Sequence, residues 1–402
     1  MNDLRQKVEA ELTKDILPFW LKHTLDTERG GFIGRIADGL VLDPRAEKGL
    51  ILNARILWTF ARAYRYYGDP AYLAAAQRAY EYLTSFFWDK EFGGYYWMLD
   101  CDGQPTDTRK RIYSQAFTVY SLAEYYHACG EKQALTTALQ LVEKIEAAGH
   151  DPIHGGYFET YERDWSLAAD QRLSDVDMDE KRSQNTHLHV MEAYATLLRV
   201  HEDSTVRLRL RELIEIFLDR ILSPETFHMR LFFDEQWKPQ SKIVSYGHDI
   251  EGSWLLVEAA EVLGDAALLA HTRATAVKMA QAVYDEAVDP DGGLIYEGSP
   301  EGVHDSDKHW WPQAEAVVGF LNAWQIGGQQ HFFDAAVKSW EFIEKFILDR
   351  QHGEWFWLVT RDGVPGAGHD KVGPWKCPYH NSRTCFEVME RLDSIAFNKQ
   401  NA

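Results

Sequence analysis

The stretch DKEFGGYYWML at residues 89–99 decides the fold, because the chain repeats it. An acidic residue leads to Gly-Gly, and aromatic or apolar residues follow. Related stretches are DTERGGFIGRI at 26–36, DPIHGGYFETY at 151–161, DPDGGLIYEG at 289–298 and, degraded, DRQHGEWFWLV at 349–359. Between first glycines the steps are 63 residues (30 to 93), 62 (93 to 155) and 61 (292 to 353). The remaining interval, 155 to 292, is 137 residues, about twice the unit. A sixth copy is therefore expected near its middle, where SPETFHMRLFFDEQW lies at 223–237 without the glycines.

A period this long marks a repeat architecture. Between the turns lie stretches with apolar residues near 3.6 spacing, such as AYLAAAQRAYEYLTSFFW at 71–88 and QNTHLHVMEAYATLLRVH at 184–201. Each unit reads as helix, short β-like turn, helix. Six helical hairpins close into a ring with inner and outer layers, an (α/α)6 barrel in the all-α class. An open solenoid would carry polar terminal caps, and the end units lack them. No Pro/Ser-rich linker divides the chain, so one catalytic domain over 1–402 is expected.

Of 402 residues, 45% are hydrophobic and 26% charged, which supplies a large core. The formal net charge of -20 disfavours nucleic acid and anionic membrane, whose binding needs clustered Lys and Arg. The first residues lack the unbroken apolar run of a secretory signal, and no stretch approaches a membrane span. The cysteines (Cys101, Cys129, Cys377 and Cys385) form no CxxC pair, which fits reduced thiols in the cytoplasm. Amphipathic outer helices suit a monomer or a homodimer. Fourteen Trp and 19 Tyr suit a carbohydrate-binding cleft as well as an ordinary core.

Alternate helices lining a ring bring their amino-terminal ends around one mouth. The segments entering them start at Asn53, Ile112, Ser183, Tyr246, His309 and Pro378. They place Arg55, Tyr113, Asn185, His248, Trp311 and His380 around that opening. His187 and His189 are two apart and cannot share a helix face, whereas Asn185 and His189, four apart, do. His189 is therefore expected inside and His187 in the wall. His248 and Glu251 are three apart, so the carboxylate is expected to orient the imidazole of a general base. Trp311 and Glu315 likewise share a face.

Three readings compete with proton transfer by histidine. Inward histidines and a glutamate could ligate zinc, but no HExxH or Cys/His spacing is present, and no metal is expected. An inverting glycoside hydrolase would need two carboxylates across the cleft, for which Asp177, Asp179, Glu251 and Glu315 are candidates. A sugar-binding module would show aromatics without proton-transfer groups.

The motifs KRSQNTHLHVMEAY, SYGHDIEGSWLL, KHWWPQAEA and GPWKCPYHNSRTCFE resemble the N-acylglucosamine 2-epimerase superfamily, most of all its cellobiose 2-epimerase branch. The resemblance runs the whole chain. It implies an (α/α)6 barrel and a cofactor-independent reaction on a small sugar, in which the reducing-end glucose of a β-1,4 disaccharide becomes mannose. It implies His248 and His380 as the acid/base pair across a cis-enediol, with His189 assisting ring opening and Glu251 supporting His248. It implies Arg55, Tyr113 and Asn185 as donors to the sugar oxygens, Trp311 and Trp375 as stacking platforms, and Asp177 as a contact to the second sugar. Other branches act on N-acylglucosamine or interconvert mannose and fructose, and share much of this set.

Overall fold

The computed structural model describes residues 1–400. Its helices run, in chain order, α1 (Asn2–Glu11), α2 (Leu17–His23), α3 (Leu50–Tyr67), α4 (Pro70–Tyr82), α5 (Ile112–Cys129), α6 (Lys132–Lys144), α7 (Gln184–Val200), α8 (Ser204–Ile216), α9 (Tyr246–Leu263), α10 (Ala266–Ala287), α11 (Trp310–Gly327), α12 (Gln330–Phe342) and α13 (Tyr379–Gln400). From α3 onward the odd-numbered helices form an inner ring. Each packs on the next, and α13 returns to α3. The even-numbered helices from α4 to α12 back them from outside, and α1 covers α13. This is the expected (α/α)6 barrel.

Burial separates the layers as the residue patterns require. In α3 every residue from Leu50 to Ala63 is buried, because both faces of an inner helix meet protein. In α4 only Ala75, Ala76, Ala79 and Tyr82 are buried, one stripe of an amphipathic surface helix. The continuous apolar core runs from Leu4 to Leu392. Among the described residues, no helix is long and apolar enough to cross a membrane.

The repeated turns hold the hairpins at one end. Each is closed by an antiparallel bridge: Leu25 with Phe32, Trp88 with Tyr95, His150 with Tyr157, Leu222 with Met229, Val288 with Leu294 and Leu348 with Trp355. The bridge at Leu222–Met229 puts the glycine-free fourth copy in phase with the others. In five units the acidic residue after the bridge reaches a buried cation, which in four of them stands two residues before an inner helix. The pairs are Asp26–Lys48, Asp89–Lys110, Asp151–Arg182, Asp289–Lys308 and Asp349–Lys371.

In the fourth unit Ser223 and Val244 stand at the matching positions, so acid and cation are lost together. Losing one alone would strand a buried charge, which costs about 3–5 kcal/mol. Phe227 fills the site of the first glycine with φ 61°, a left-handed conformation that strains a non-glycine residue.

Short strands stitch neighbouring units together. Residue pairs just ahead of inner helices bond to the strand of the following unit, as Lys48–Gly49 does to Met98–Leu99 and Arg182–Ser183 to Phe232–Phe233. The ring closes where Ile36 N–H donates to the Val372 carbonyl at 2.9 Å. The inner helices thus start together at one end, within three residues of the starts expected from the sequence.

Candidate active site

The amino-terminal ends of the inner helices open into a cleft of about 660 Å³. Ten residues singled out from the sequence line it: Arg55, Tyr113, Asp177, Asn185, His189, His248, Glu251, Trp311, Trp375 and His380; the carboxylate candidates Asp179 and Glu315 do not. Fold topology makes this convergence, since each inner helix contributes residues from its first two turns.

The helical sorting of His187 and His189 holds. The His187 ring is fully buried, with Nδ1 2.7 Å from the Ser183 carbonyl. Its Nε2 accepts the Tyr157 N–H at 2.9 Å. Gln115, Asp249 and Gln313 do the same one-residue job in other units, accepting the N–H of Tyr95, Met229 and Leu294. All four stand three residues into an inner helix, a position that clamps the turn behind the wall. His189, two residues further on, faces the cleft, and its Nδ1 lies 2.9 Å from Glu192 Oε2.

His380 Nδ1 lies 2.7 Å from Glu315 Oε1. With Nδ1–H donating to a carboxylate, Nε2 carries the free lone pair. His248 Nδ1 instead lies 2.8 Å from the Ser245 hydroxyl, which can donate or accept. The two imidazoles lie close to Trp311, with ring centroids 4.7 Å and 5.6 Å away. They come from α9 and α13, which flank α11.

The expected support of His248 by Glu251 is corrected. Glu251 Oε1 accepts from Arg383 Nη2, and it lies 3.9 Å from His380 Nδ1. A fixed guanidinium charge draws the carboxylate away from a neutral ring, although i,i+3 spacing would allow their contact. Sequence reasoning missed Arg383, which is the hub beneath the cleft. Its Nη1 serves Glu192 and Tyr379, and its Nη2 serves Glu251 and Glu315. The i,i+3 spacings His189–Glu192 and His380–Arg383 were the available signal.

Burial, modified by the charges of this hub and its neighbours, sets the protonation of the site. Burial alone would raise the Glu192 carboxyl, but Arg383 and His189 outweigh it and hold it down to about 2. Burial, reinforced by Glu315, pushes Glu251 up to about 7. Burial and the neighbouring His189 lower His248 to about 3. Burial, then Arg55 and Arg383, lower His380 well below the ordinary histidine value. Both rings are therefore neutral, able to take a proton, across the physiological range.

Glu251, Glu315 and His380 bring potential ligand atoms within 4.8 Å of one another. Arg383 already supplies the cation on which those carboxylates converge. The cleft also holds groups ready for a polar ligand. Arg55 Nη2 donates to the Tyr113 hydroxyl at 2.8 Å, while its Nε has no partner. Asn185 Oδ1 is likewise unpartnered. Trp375 is half-buried against Trp97 and Tyr113. Asp177 hangs over the cleft from the segment 173–180, held by the Ser174 hydroxyl at 2.5 Å.

Known proteins similar to this chain are sugar epimerases. The family model of N-acylglucosamine 2-epimerase (GlcNAc 2-epimerase) matches residues 30–383. A cellobiose 2-epimerase of Bacteroides fragilis is 46% identical over 387 residues, 96% of this chain and 98% of that one. The crystal structure of a sugar epimerase from a ruminal bacterium superposes with a TM-score of 0.93 at 40% identity, covering 96% of this chain and 99% of the other. The cellobiose 2-epimerase of Bacillus thermoamylovorans gives the same TM-score at 38% identity, covering 97% and 100%. The chain belongs to the N-acylglucosamine 2-epimerase family.

Proposed function

We propose that this protein is a cellobiose 2-epimerase, an isomerase that converts the reducing-end glucose of β-1,4 disaccharides such as cellobiose and lactose to mannose. The observation that carries the reading is the pair of imidazoles, His248 and His380, beside Trp311 in one cleft with Nδ1 of each anchored. Full-length identity to cellobiose 2-epimerases supports the substrate class.

After ring opening, one imidazole takes the C2 proton and negative charge builds on O1. Arg55, through its guanidinium, stabilises that charge as it develops, and Tyr113 shares the load. A planar cis-enediolate results. The second imidazole, having taken a proton from solvent at Nε2, delivers it to C2 on the other face, and the first returns its proton to solvent. Two bases are needed because inversion requires proton exchange on both faces. His189, backed by Glu192, assists ring opening at the O1 side. Asn185 binds sugar hydroxyls, Trp311 and Trp375 stack on the sugar faces, and Asp177 meets the second sugar. Glu251 acts through Arg383 on His380, where it sits. The chain works as one catalytic domain in the cytoplasm, as a monomer or homodimer, and uses no cofactor.

An inverting hydrolase fits less well. It requires two carboxylates about 6.5–9.5 Å apart with water between them. Here Glu251 and Glu315 converge on one nitrogen of Arg383.

Proton NMR with cellobiose in D2O tests the reading, with free glucose and N-acetylglucosamine in parallel. A mannose-type reducing-end signal with deuterium at C2 is the expected result. Release of glucose would replace the reading by hydrolysis, and turnover of N-acetylglucosamine alone would move the protein to another branch of its family.

A further inference from the structure

The inward stripes that carry the cleft continue down the inner helices to a second chamber, of about 420 Å³, at their carboxy-terminal ends. Below Arg55 on α3 come Trp58, Arg62 and Arg65. Below Glu251 on α9 come Trp254, Glu258 and Glu261. Below His380 on α13 come Arg383, Glu387 and Arg391. We propose that this chamber is a second ligand site, for a neutral polyhydroxylated molecule the size of one hexose, separate from the catalytic cleft.

Charge selects neutrality. Arg383 is spoken for by the carboxylates above it, and Glu261 by Arg273 outside. Four arginines and four glutamates remain, and they pair: Arg62 with Glu390, Arg65 with Glu124, Arg199 with Glu258 and Arg391 with Glu387. The sum is zero. The carboxy termini of α3, α5, α7, α9 and α11 add partial negative charge, which opposes an anion. The neutralised arginines oppose a metal cation.

Two buried donors select a ligand with acceptor oxygens. Asn322 is 3% exposed, and its Oδ1 accepts from Arg391 Nη1 at 3.1 Å. Arginine only donates, so this contact fixes the amide orientation and leaves Nδ2 as the free end. Asn322 Nδ2 and Arg383 Nε have no partner, and both residues line the chamber. A buried donor left unpaired costs about 1–3 kcal/mol, which a bound hydroxyl would relieve. Hydroxyls also donate, and the paired glutamates keep acceptor lone pairs for them. Alternating donors and acceptors around a neutral enclosure are the chemistry of polyol recognition. A ligand on Arg383 Nε would touch the same guanidinium that holds Glu192, Glu251 and Glu315, so the two ends of the barrel share one wall.

The test uses methyl β-D-glucopyranoside, which cannot open its ring and so binds without turnover. Crystals are soaked in it, and binding to the full chain is titrated by calorimetry. The expected result is density in the chamber and a binding event that weakens roughly tenfold in Asn322→Asp, which turns the free donor into an acceptor. Thr196→Val, on α7 in the same lining, is the second lesion should the first fail to fold. Trp375→Ala, in the cleft, should leave the chamber event unchanged. An empty chamber with density only in the cleft, or titrations unaltered by both chamber variants, overturns the proposal. Neither outcome depends on whether the protein epimerises cellobiose.

Discussion

The two ends of the inner-helix ring are lined by the same six helices, yet they hold opposite chemistry. At the amino-terminal end stand imidazoles, indoles and amides, with Asn185 Oδ1 and Arg55 Nε unpartnered. At the carboxy-terminal end stand arginines and glutamates that pair with one another. The barrel gives both ends the same enclosure. What differs is the balance. Charged pairs satisfy each other around most of the lower chamber, leaving Asn322 Nδ2 and Arg383 Nε unpartnered, whereas the clamped turns of the upper end hold reactive rings toward the cleft.

The comparison breaks first at the imidazoles. His380→Ala or His248→Ala should lower kcat by about 10²–10⁴-fold with the fold intact, measured by steady-state epimerisation and a thermal melt. A variant retaining near-wild-type kcat would remove that histidine from the chemistry.

The two histidine anchors offer a finer contrast. Glu315→Gln removes a charged partner from His380 and Arg383 and should reduce kcat by roughly ten- to hundredfold. Ser245→Ala removes a neutral partner from His248 and should cost about tenfold at most. Equal effects would mean that charge at the anchor does not matter.

Protonation gives the next test. The folded values of His248, His380 and His187 are depressed, so these rings favour the folded state above the ordinary histidine value of about 6.5. That stability is lost as pH falls from there toward about 3, the value to which burial brings His187 and His248. Denaturant titrations should show a decline over this window, shallower in His187→Gln, whose side chain is neutral throughout. The acid limb of kcat should lie below 6.5, and a limb at or above 6.5 would mean the imidazoles are not held neutral.

The smallest effect belongs to the lower end. Arg199 is substantially exposed and pairs with Glu258. Arg199→Ala should change stability by no more than about 1 kcal/mol in a denaturation curve and leave kcat alone. A marked fall in kcat would tie the lower end to catalysis.

Much of the site was legible because helical geometry is local. Spacing of two placed His187 and His189 on different faces, and spacing of four joined Asn185 to His189, as the structure has them. The same local logic failed for Glu251. Its i,i+3 neighbour His248 was within reach, but Arg383, 132 residues away, took the carboxylate. Glu315 was legible as sharing a face with Trp311 and as a candidate carboxylate, but its bond to His380 spans 65 residues. The fourth turn shows the same division. Its position followed from the doubled interval, whereas the joint replacement of acid and cation by Ser223 and Val244 appears only once the buried pairs of the other units are seen.

The sequence by itself determined the repeat, the ring of helices, the mouth at which the reactive residues meet and which histidine faces inward. These follow from periodicity, and periodicity needs only the chain's own geometry. Tertiary structure decided which carboxylate serves which histidine, how Arg383 joins three glutamates, and that a second chamber lies below. Those depend on side chains meeting across the ring. Electrostatic attraction between buried charges there exceeds the weak preference of neighbours on one helix.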